Sequence, residues 1–298
     1  MRARVSAAVA LVWTLGAAGC AHQVEPAAPP APSPPSRAPS PTVVFDRTSA
    51  FGRVLVRDEG RLRVMRFGSP PGSEQSEIVP DRPDAVPMEY VQLALLGLGH
   101  VAAPKRVLMV GLGGGTFTTL LHRLRPEIII DAIEIDPVVV AAARSCFGLR
   151  EDDRYRVHVA DAATWLAREP ARDDTRYDYV VLDAYVGEDI PPAIGSPAFF
   201  ESVRAHLAEG GVVALNLAEA EGQGAPVAVT FARVLSVFER RRAPRDGNML
   251  LYAAAGPRAA PDPDAVLRFA AAWDARGWTD FSMRALAVAS RCCGDRGP

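Results

Sequence analysis

The chain has 298 residues, 49% of them hydrophobic, which supports one large domain or two smaller ones. Its formal net charge of −2 excludes the strongly basic footprint of a nucleic-acid-binding surface, and its four cysteines exclude a disulfide scaffold. The five histidines are dispersed without the spacing of a metal site.

Residues 1–20 read as an export signal. Arg2 and Arg4 form a positive start, Val5–Leu15 an apolar stretch too short for a comfortable transmembrane helix, and Gly16–Cys20 a small-residue cleavage site. Ala17-Ala18-Gly19-Cys20 resembles a bacterial lipobox, which implies lipidation of Cys20 and an exported protein held at a membrane; the alternatives are an ordinary signal peptide or a start codon placed too early, which would leave the chain cytoplasmic. Residues 21–42 carry eight prolines among Ala, Ser and Glu and read as a stiff tether extending about 3 Å per residue.

Residues 43–87 read as a small β domain. Arg53–Arg57 and Arg61–Arg66 alternate apolar and basic residues around a turn at Asp58–Gly60, with Val43–Phe45 as a further strand. Gly68–Pro87, rich in Pro, Ser, Gly and acid, reads as loop. Residues 88–257 follow as the main domain, opening on a helix over Met88–Leu98. Strands are expected at Val107–Val110, Ile128–Ile135, Arg156–Ala160, Tyr179–Asp183 and Val212–Leu217. Helices are expected at Thr116–Leu124, Pro137–Cys146, Ala162–Arg168, Pro197–Ala208 and Pro226–Leu235. Near-continuous apolar strands alternating with amphipathic helices predict an α/β fold, a mostly parallel sheet with helices on both faces. Ser236–Arg241 and Met249–Ala254 read as an antiparallel closing pair, with Arg240–Arg242 a solvated strand end and an anion site the alternative. Residues 258–298 form a C-terminal helix, Asp264–Ala275, and a tail. Cys146 reads as a core residue; Cys292–Cys293 read as a vicinal disulfide or two free thiols.

In open α/β sheets ligands bind beyond the carboxyl ends of the strands. The first strand ends in a cluster of glycines, Gly111, Gly113, Gly114 and Gly115, that opens a helix and is expected to present free N–H groups to a ligand. The second ends in Glu134-Ile135-Asp136, the third in Asp161-Ala162, and the fourth in Asp183-Ala184-Tyr185. A carboxylate after the second strand suits two ribose hydroxyls and one after the third an adenine amino group, although each also suits a helix N-cap. The glycines fit G-x-G-x-G, not G-x-G-x-x-G, and no P-loop or G-x-S-x-G elbow occurs.

The stretches PKRVLMVGLGGG, DAIEIDPVVVAAAR, DDRYRVHVADAATWL, YDYVVLDAY and PAFFESVRAHLAEGGVVALNL resemble the spermidine synthase family, on the class I AdoMet-dependent methyltransferase fold. The resemblance spans most of residues 43–255. It implies that Gly111, Gly113 and Gly115 border the donor together with Glu134, Asp136, Asp161 and Ala162, that the donor is S-adenosylmethionine or its decarboxylated form, and that Asp183 is the catalytic acid-base residue. Tyr90, Gln92 and Tyr185 are then expected around the acceptor, with ordinary core the alternative for the tyrosines and a strand-end cap the alternative for Asp183.

Three departures bear on the reaction. Gly114 stands where the family motif GGGDGG carries aspartate, Val186 stands at the second aspartate of D-S-S-D-P, and the family's Tyr-His-Glu is matched only by Tyr90-Val91-Gln92 with one residue of slippage. Glu188 and Asp189 are candidate substitutes for the lost charge. The implied function is transfer of an aminopropyl or methyl group to a nucleophile, without a metal, with a small acceptor such as an amine and a homodimer among the expected partners. The competing reading is an exported lipoprotein that binds a nucleoside or polyamine-like ligand without catalysis.

Overall fold

The computed structural model describes residues 41–68, 73–168, 175–185, 189–218, 224–256 and 263–291. The expected signal, Cys20, nearly all of the tether, Val186, Glu188 and the Cys292–Cys293 pair lie outside the described residues.

A small antiparallel sheet runs in sequence order through β1 (Thr42–Ser49), β2 (Gly52–Glu59), β3 (Leu62–Phe67) and β4 (Ser73–Ile78). The expected hairpin is its centre, and Val54, Val56 and Met65 are buried against Val139, Ala142 and Phe147 of the main domain. β4 corrects the reading of Gly68–Pro87 as loop. Its sequence, Ser-Glu-Gln-Ser-Glu-Ile, has no apolar alternation to reveal it; it forms because β3 supplies a ladder partner and because Ser76 is buried against the glycine cluster.

The large sheet has the order β10–β11–β9–β8–β5–β6–β7. Its strands are β5 (Arg106–Val110), β6 (Ile129–Glu134), β7 (Tyr155–Val159), β8 (Tyr177–Leu182), β9 (Leu207–Leu217), β10 (Ser236–Arg242) and β11 (Met249–Ala254). β5 through β9 pair in parallel, and β11 and β10 close the edge antiparallel, as the sequence predicts. Helices α1 (Glu89–Gly97), α2 (Thr116–Leu124), α3 (Pro137–Cys146), α4 (Ala162–Arg168), α5 (Pro197–His206), α6 (Gly224–Val234), α7 (Pro263–Asp274) and α8 (Met283–Ala289) complete the fold. Separate apolar clusters bury alternate residues of β5 and β8: Val107, Met109, Tyr179 and Val181 in one, Leu108, Val110, Val180 and Leu182 in the other. This is why those strands read as continuous apolar runs.

A boundary, an extra helix and a buried arginine differ from expectation. α5 stops at His206 and β9 starts at Leu207, because Leu207 is buried as a strand residue. α8, absent from the sequence reading, is capped by Ser282, whose Oγ accepts the Ala285 amide at 3.1 Å. Arg241 is not solvated: β10 alternates, so the middle arginine points inward, is 1% exposed, and donates to Ala287 O, Ser290 Oγ and the Glu239 carboxylate.

α1 carries the residues that enter the site, and two buried tyrosines dock it. Tyr179 on β8 donates to Ala94 O, and Tyr252 on β11 donates to Leu93 O, both at 2.8 Å. Gly97 makes room for them: a Cβ there would lie 2.1 Å from the Tyr179 hydroxyl oxygen and 2.6 Å from the Tyr252 ring. Helix propensity alone favours alanine over glycine by about 1 kcal/mol. Here overpacking wins, and Gly97→Ala is expected to destabilise the protein by about 1–3 kcal/mol in urea titration; a stabilised variant would contradict this docking.

Candidate functional site

The carboxyl ends of β5, β6, β7, β8 and β9 open on one cavity of about 850 Å³, which β4, the start of α1 and the β10–β11 turn wall on the far side. Pockets for small molecules span roughly 300–1,000 Å³.

The glycine cluster differs from expectation in what it approaches. Gly111, Gly113 and Gly115 all have positive φ (84°, 54° and 70°). A Cβ at Gly111 would lie 2.2 Å from the Asp183 carbonyl oxygen, and one at Gly113 would lie 2.6 Å from Ser76 Oγ. The close approaches are therefore to the protein's own chain. The amides are likewise engaged. Leu112 donates to Glu134 Oε2 at 2.9 Å, Gly113 also bonds the Glu134 carboxylate, and Gly114 donates to Ser76 Oγ at 2.7 Å. At Gly114, where the family motif carries aspartate, a Cβ would meet the Phe147 ring at 2.6 Å.

Glu134 closes the loop from β6. Its Oε1 accepts the Asp136 amide at 2.9 Å, so three N–H groups occupy a carboxylate with about four acceptor positions. Capacity remains for one further donor, one fewer than a pair of ribose hydroxyls would need. Burial raises the Glu134 pKa, and those amides offset part of the rise. Asp161 lines the cavity with Ala162 and also caps α4, its Oδ1 accepting the Thr164 amide at 2.7 Å, so the cap does not remove it from the cavity wall. Asp136 does not line the cavity. Its Oδ1 caps α3 through the Val138 amide at 2.8 Å and its Oδ2 accepts from Ser49 Oγ at 2.5 Å, which corrects its placement among the donor contacts.

Asp183 stands at the end of β8 on the cavity wall. Its Oδ1 accepts from Asn216 Nδ2 at 2.8 Å, and the Tyr90 hydroxyl donates to the same carboxylate. Burial pushes the Asp183 pKa up, and these two hydrogen bonds pull against it. Burial and then the Asp183 charge keep Tyr90 protonated far above the usual phenol range. Asn248 Nδ2 in turn donates to Asn216 Oδ1 at 3.2 Å, fixing which way that amide faces. Tyr185 also lines the cavity, but its hydroxyl is engaged at the end of β9, donating to Asn216 O and accepting from the Ala218 amide, each at 2.8 Å. Gln92 is not on the cavity wall: it is buried on the other side of α1 from Tyr90 and donates to Val86 O at 2.7 Å, which corrects its expected place beside the acceptor.

Beyond Asp183 the wall is acidic. Glu74, Glu77, Asp189 and Asp246 all line it. Glu77 is pushed up to about 7, first by burial, then by a hydrogen bond to Glu74 and by the charges of Glu74 and Asp246. Burial also raises Asp246, against hydrogen bonds from the Glu89 and Tyr90 amides. Glu89 ties this corner together by accepting the Arg245 amide at 2.5 Å and its Nε at 2.6 Å. Asn216, a lone amide in the apolar run Val212–Leu217, was findable from sequence; Glu74, Glu77 and Asp246 belong to a cryptic strand and a turn and carried no such signal. Among the described residues no group of three or more His, Cys, Asp or Glu side chains is placed to hold a metal ion.

Strand order and cavity position define the class I AdoMet-dependent methyltransferase fold, with an added N-terminal β-sheet. A model of the spermine/spermidine synthase domain matches residues 89–222. A polyamine aminopropyltransferase of Neisseria meningitidis is 30% identical over 196 residues, 65% of this chain and 71% of that one. Human methyltransferase-like protein 13, solved in complex with SAH, superposes with a TM-score of 0.56 at 26% identity over 70% of this chain and 96% of that one. Spermidine synthase from Thermotoga maritima shares the fold with a TM-score of 0.64 at 16% identity, covering 85% of each chain. The chain belongs to the spermine/spermidine synthase family.

The acidic wall has a pH signature. An acid whose folded pKa is raised contributes stability that is present below its unfolded pKa and lost as pH rises through the folded one. For Glu77 that window runs from about 4.5 to about 7. Glu77→Gln is expected to raise the melting temperature at pH 8 by a few degrees and to leave it unchanged at pH 4; equal effects at both would show that Glu77 is not the strained acid.

Proposed function

We propose that this protein transfers an alkyl group, aminopropyl or methyl, from an AdoMet-type sulfonium donor to an amine. The observation that carries the reading is the position of Asp183 at the end of β8, with the ends of β6 and β7 on one side of it and the β10–β11 turn on the other, all lining one cavity. On one side are Glu134, Asp161 and Ala162, chemistry that suits a ribose and an adenine amino group. On the other is an acidic wall without a lysine among its lining residues. Charge-assisted bonds to a cation are the use such a wall fits best.

In this reading Glu134 accepts one ribose hydroxyl through its remaining acceptor position, and Asp161 accepts from the adenine amino group. The donor, when bound, supplies an electrophilic carbon on a positively charged sulfur. Asp183 accepts the proton of the attacking ammonium. The freed nitrogen lone pair forms the new N–C bond, and the C–S pair leaves with sulfur as a neutral thioether. A raised pKa suits this base, because it brings the acid closer to the operating pH. Tyr90 and Asn216 hold the carboxylate toward the cavity while it accepts that proton. Glu74, Glu77 and Asp246 offset the charge of a second ammonium on the acceptor.

Calorimetry on the full chain tests the donor half. AdoMet, decarboxylated AdoMet and methylthioadenosine are expected to bind, the first two within about tenfold of each other. A single charge-assisted bond is worth about 1.5–3 kcal/mol, and the loop carboxylate that would supply one is absent at Gly114. Glu134→Ala is expected to weaken all three by at least about tenfold. Binding by none of them removes the donor reading.

Turnover tests Asp183. Asp183→Asn is expected to lower kcat by about 10²–10⁴ while leaving the donor Kd within about twofold. A variant that loses donor binding in step with activity would make Asp183 a strand-end support instead of a base.

A further inference from the structure

The displacement of Asp136 from the cavity wall points to an unassigned binding residue. Its Oδ2 holds Ser49 Oγ at 2.5 Å, across 87 positions of sequence, and so ties the tip of the β1–β2 hairpin to the chain two residues beyond Glu134. Ser49 organises that tip: its Oγ accepts the Phe51 amide at 3.0 Å while its single hydroxyl hydrogen goes to Asp136. Gly52, at φ 132°, turns the chain back into β2 in a conformation that side chains rarely adopt.

The turn leaves Phe51 on the cavity wall with 47% of its surface exposed. It belongs to none of the buried clusters; the hairpin's own core is Val54, Val56 and Met65. Ile135, next to Glu134, lines the same cavity and is 39% exposed. Single exposed apolar residues are ordinary on a surface. Two of them in one cavity, one held there by a side-chain latch, are not explained by packing within the chain.

We propose that Phe51 is a donor-binding residue that closes over the apolar face of the nucleoside opposite Ile135, with Ser49–Asp136 as the latch that sets it. The inference rests on the nucleoside-donor reading. A large rigid aromatic side chain gains contact area at low conformational cost, and every base and sugar offers it an apolar face.

Methylthioadenosine binding to the full chain tests this by calorimetry. Phe51→Ala is expected to raise the Kd about tenfold and Phe51→Leu by less, with unchanged melting temperatures because the side chain is half exposed. Ser49→Ala is expected to weaken binding in the same direction, and the double variant to bind no worse than Phe51→Ala, since the latch acts only through that ring. If the wild type binds and Phe51→Ala binds within twofold of it, the assignment of Phe51 fails while the donor reading stands. If the wild type does not bind, both fail. An additive Ser49 effect would remove the latch.

Discussion

The cavity depends on how closely β5 and β8 approach at Gly111. The Asp183 carbonyl oxygen occupies the space a side chain would need, 2.2 Å from an ideal Cβ. The Asp183 amide donates back to Val110 O at 2.8 Å, so the two strand ends are stitched together where the chains leave the sheet. That contact sets the glycine loop against Asp183 on the cavity wall. A residue larger than glycine would be doubly unfavourable there, through its positive φ and through the clash. Glu134 extends the constraint by binding the Leu112 and Gly113 amides, so the loop geometry is built from internal contacts before any ligand arrives.

The main domain was legible in the sequence because its central strands are buried on both faces and its helices are amphipathic. The apolar runs at Val107–Val110 and Tyr179–Leu182 and the proline-started helix at Pro137 leave few alternatives. The carboxylates at strand ends were legible for the same reason, since topology places strand ends together. What the sequence could not show is direction. Asp136 and Glu134 are two residues apart, yet one caps a helix and the other faces the cavity. Gln92 and Tyr90 are likewise two apart on α1, 200° around a helix, and only Tyr90 reaches the site. β4 was illegible because its burial is supplied by partners distant in sequence; nothing in Ser-Glu-Gln-Ser-Glu-Ile announces a strand.

Loss of the family's loop acids acquires a physical meaning from that strand. Gly114 is not a vacancy waiting for a carboxylate: Phe147 fills the direction its side chain would take, and Ser76 holds its amide. The negative charge lies instead on β4 and on the β10–β11 turn, at Glu74, Glu77 and Asp246. Burial first, and then the hydrogen bond to Glu74 and the charges of Glu74 and Asp246, hold Glu77 at about 7, a cost that persists in the ligand-free fold. Arg66 is engaged by Glu59 and Glu74, and Arg245 by Glu89, so neighbouring cations neutralise the wall only in part. A cationic acceptor would relieve this strain on binding, and the relief is free energy that a neutral acceptor of the same shape could not gain.

The N-terminal sheet is therefore part of the site in three places. Its first turn carries Ser49 and sets Phe51 on the cavity wall, Ser76 on its last strand holds the glycine loop, and Glu74 and Glu77 on the same strand contribute to the acidic wall. A change in the seating of this sheet on α3 would disturb the Phe51 side of the cavity, the loop geometry and the acidic wall together. Selection for any one of them constrains the packing of Val54, Val56 and Met65 against Val139, Ala142 and Phe147. Phe147 makes the link direct, because it belongs to that packed cluster and also occupies the space above Gly114. Exchange of the loop glycine for an acid would thus require repacking of the interface beneath it, which ties the chemistry of the glycine loop to the stability of the sheet that covers it.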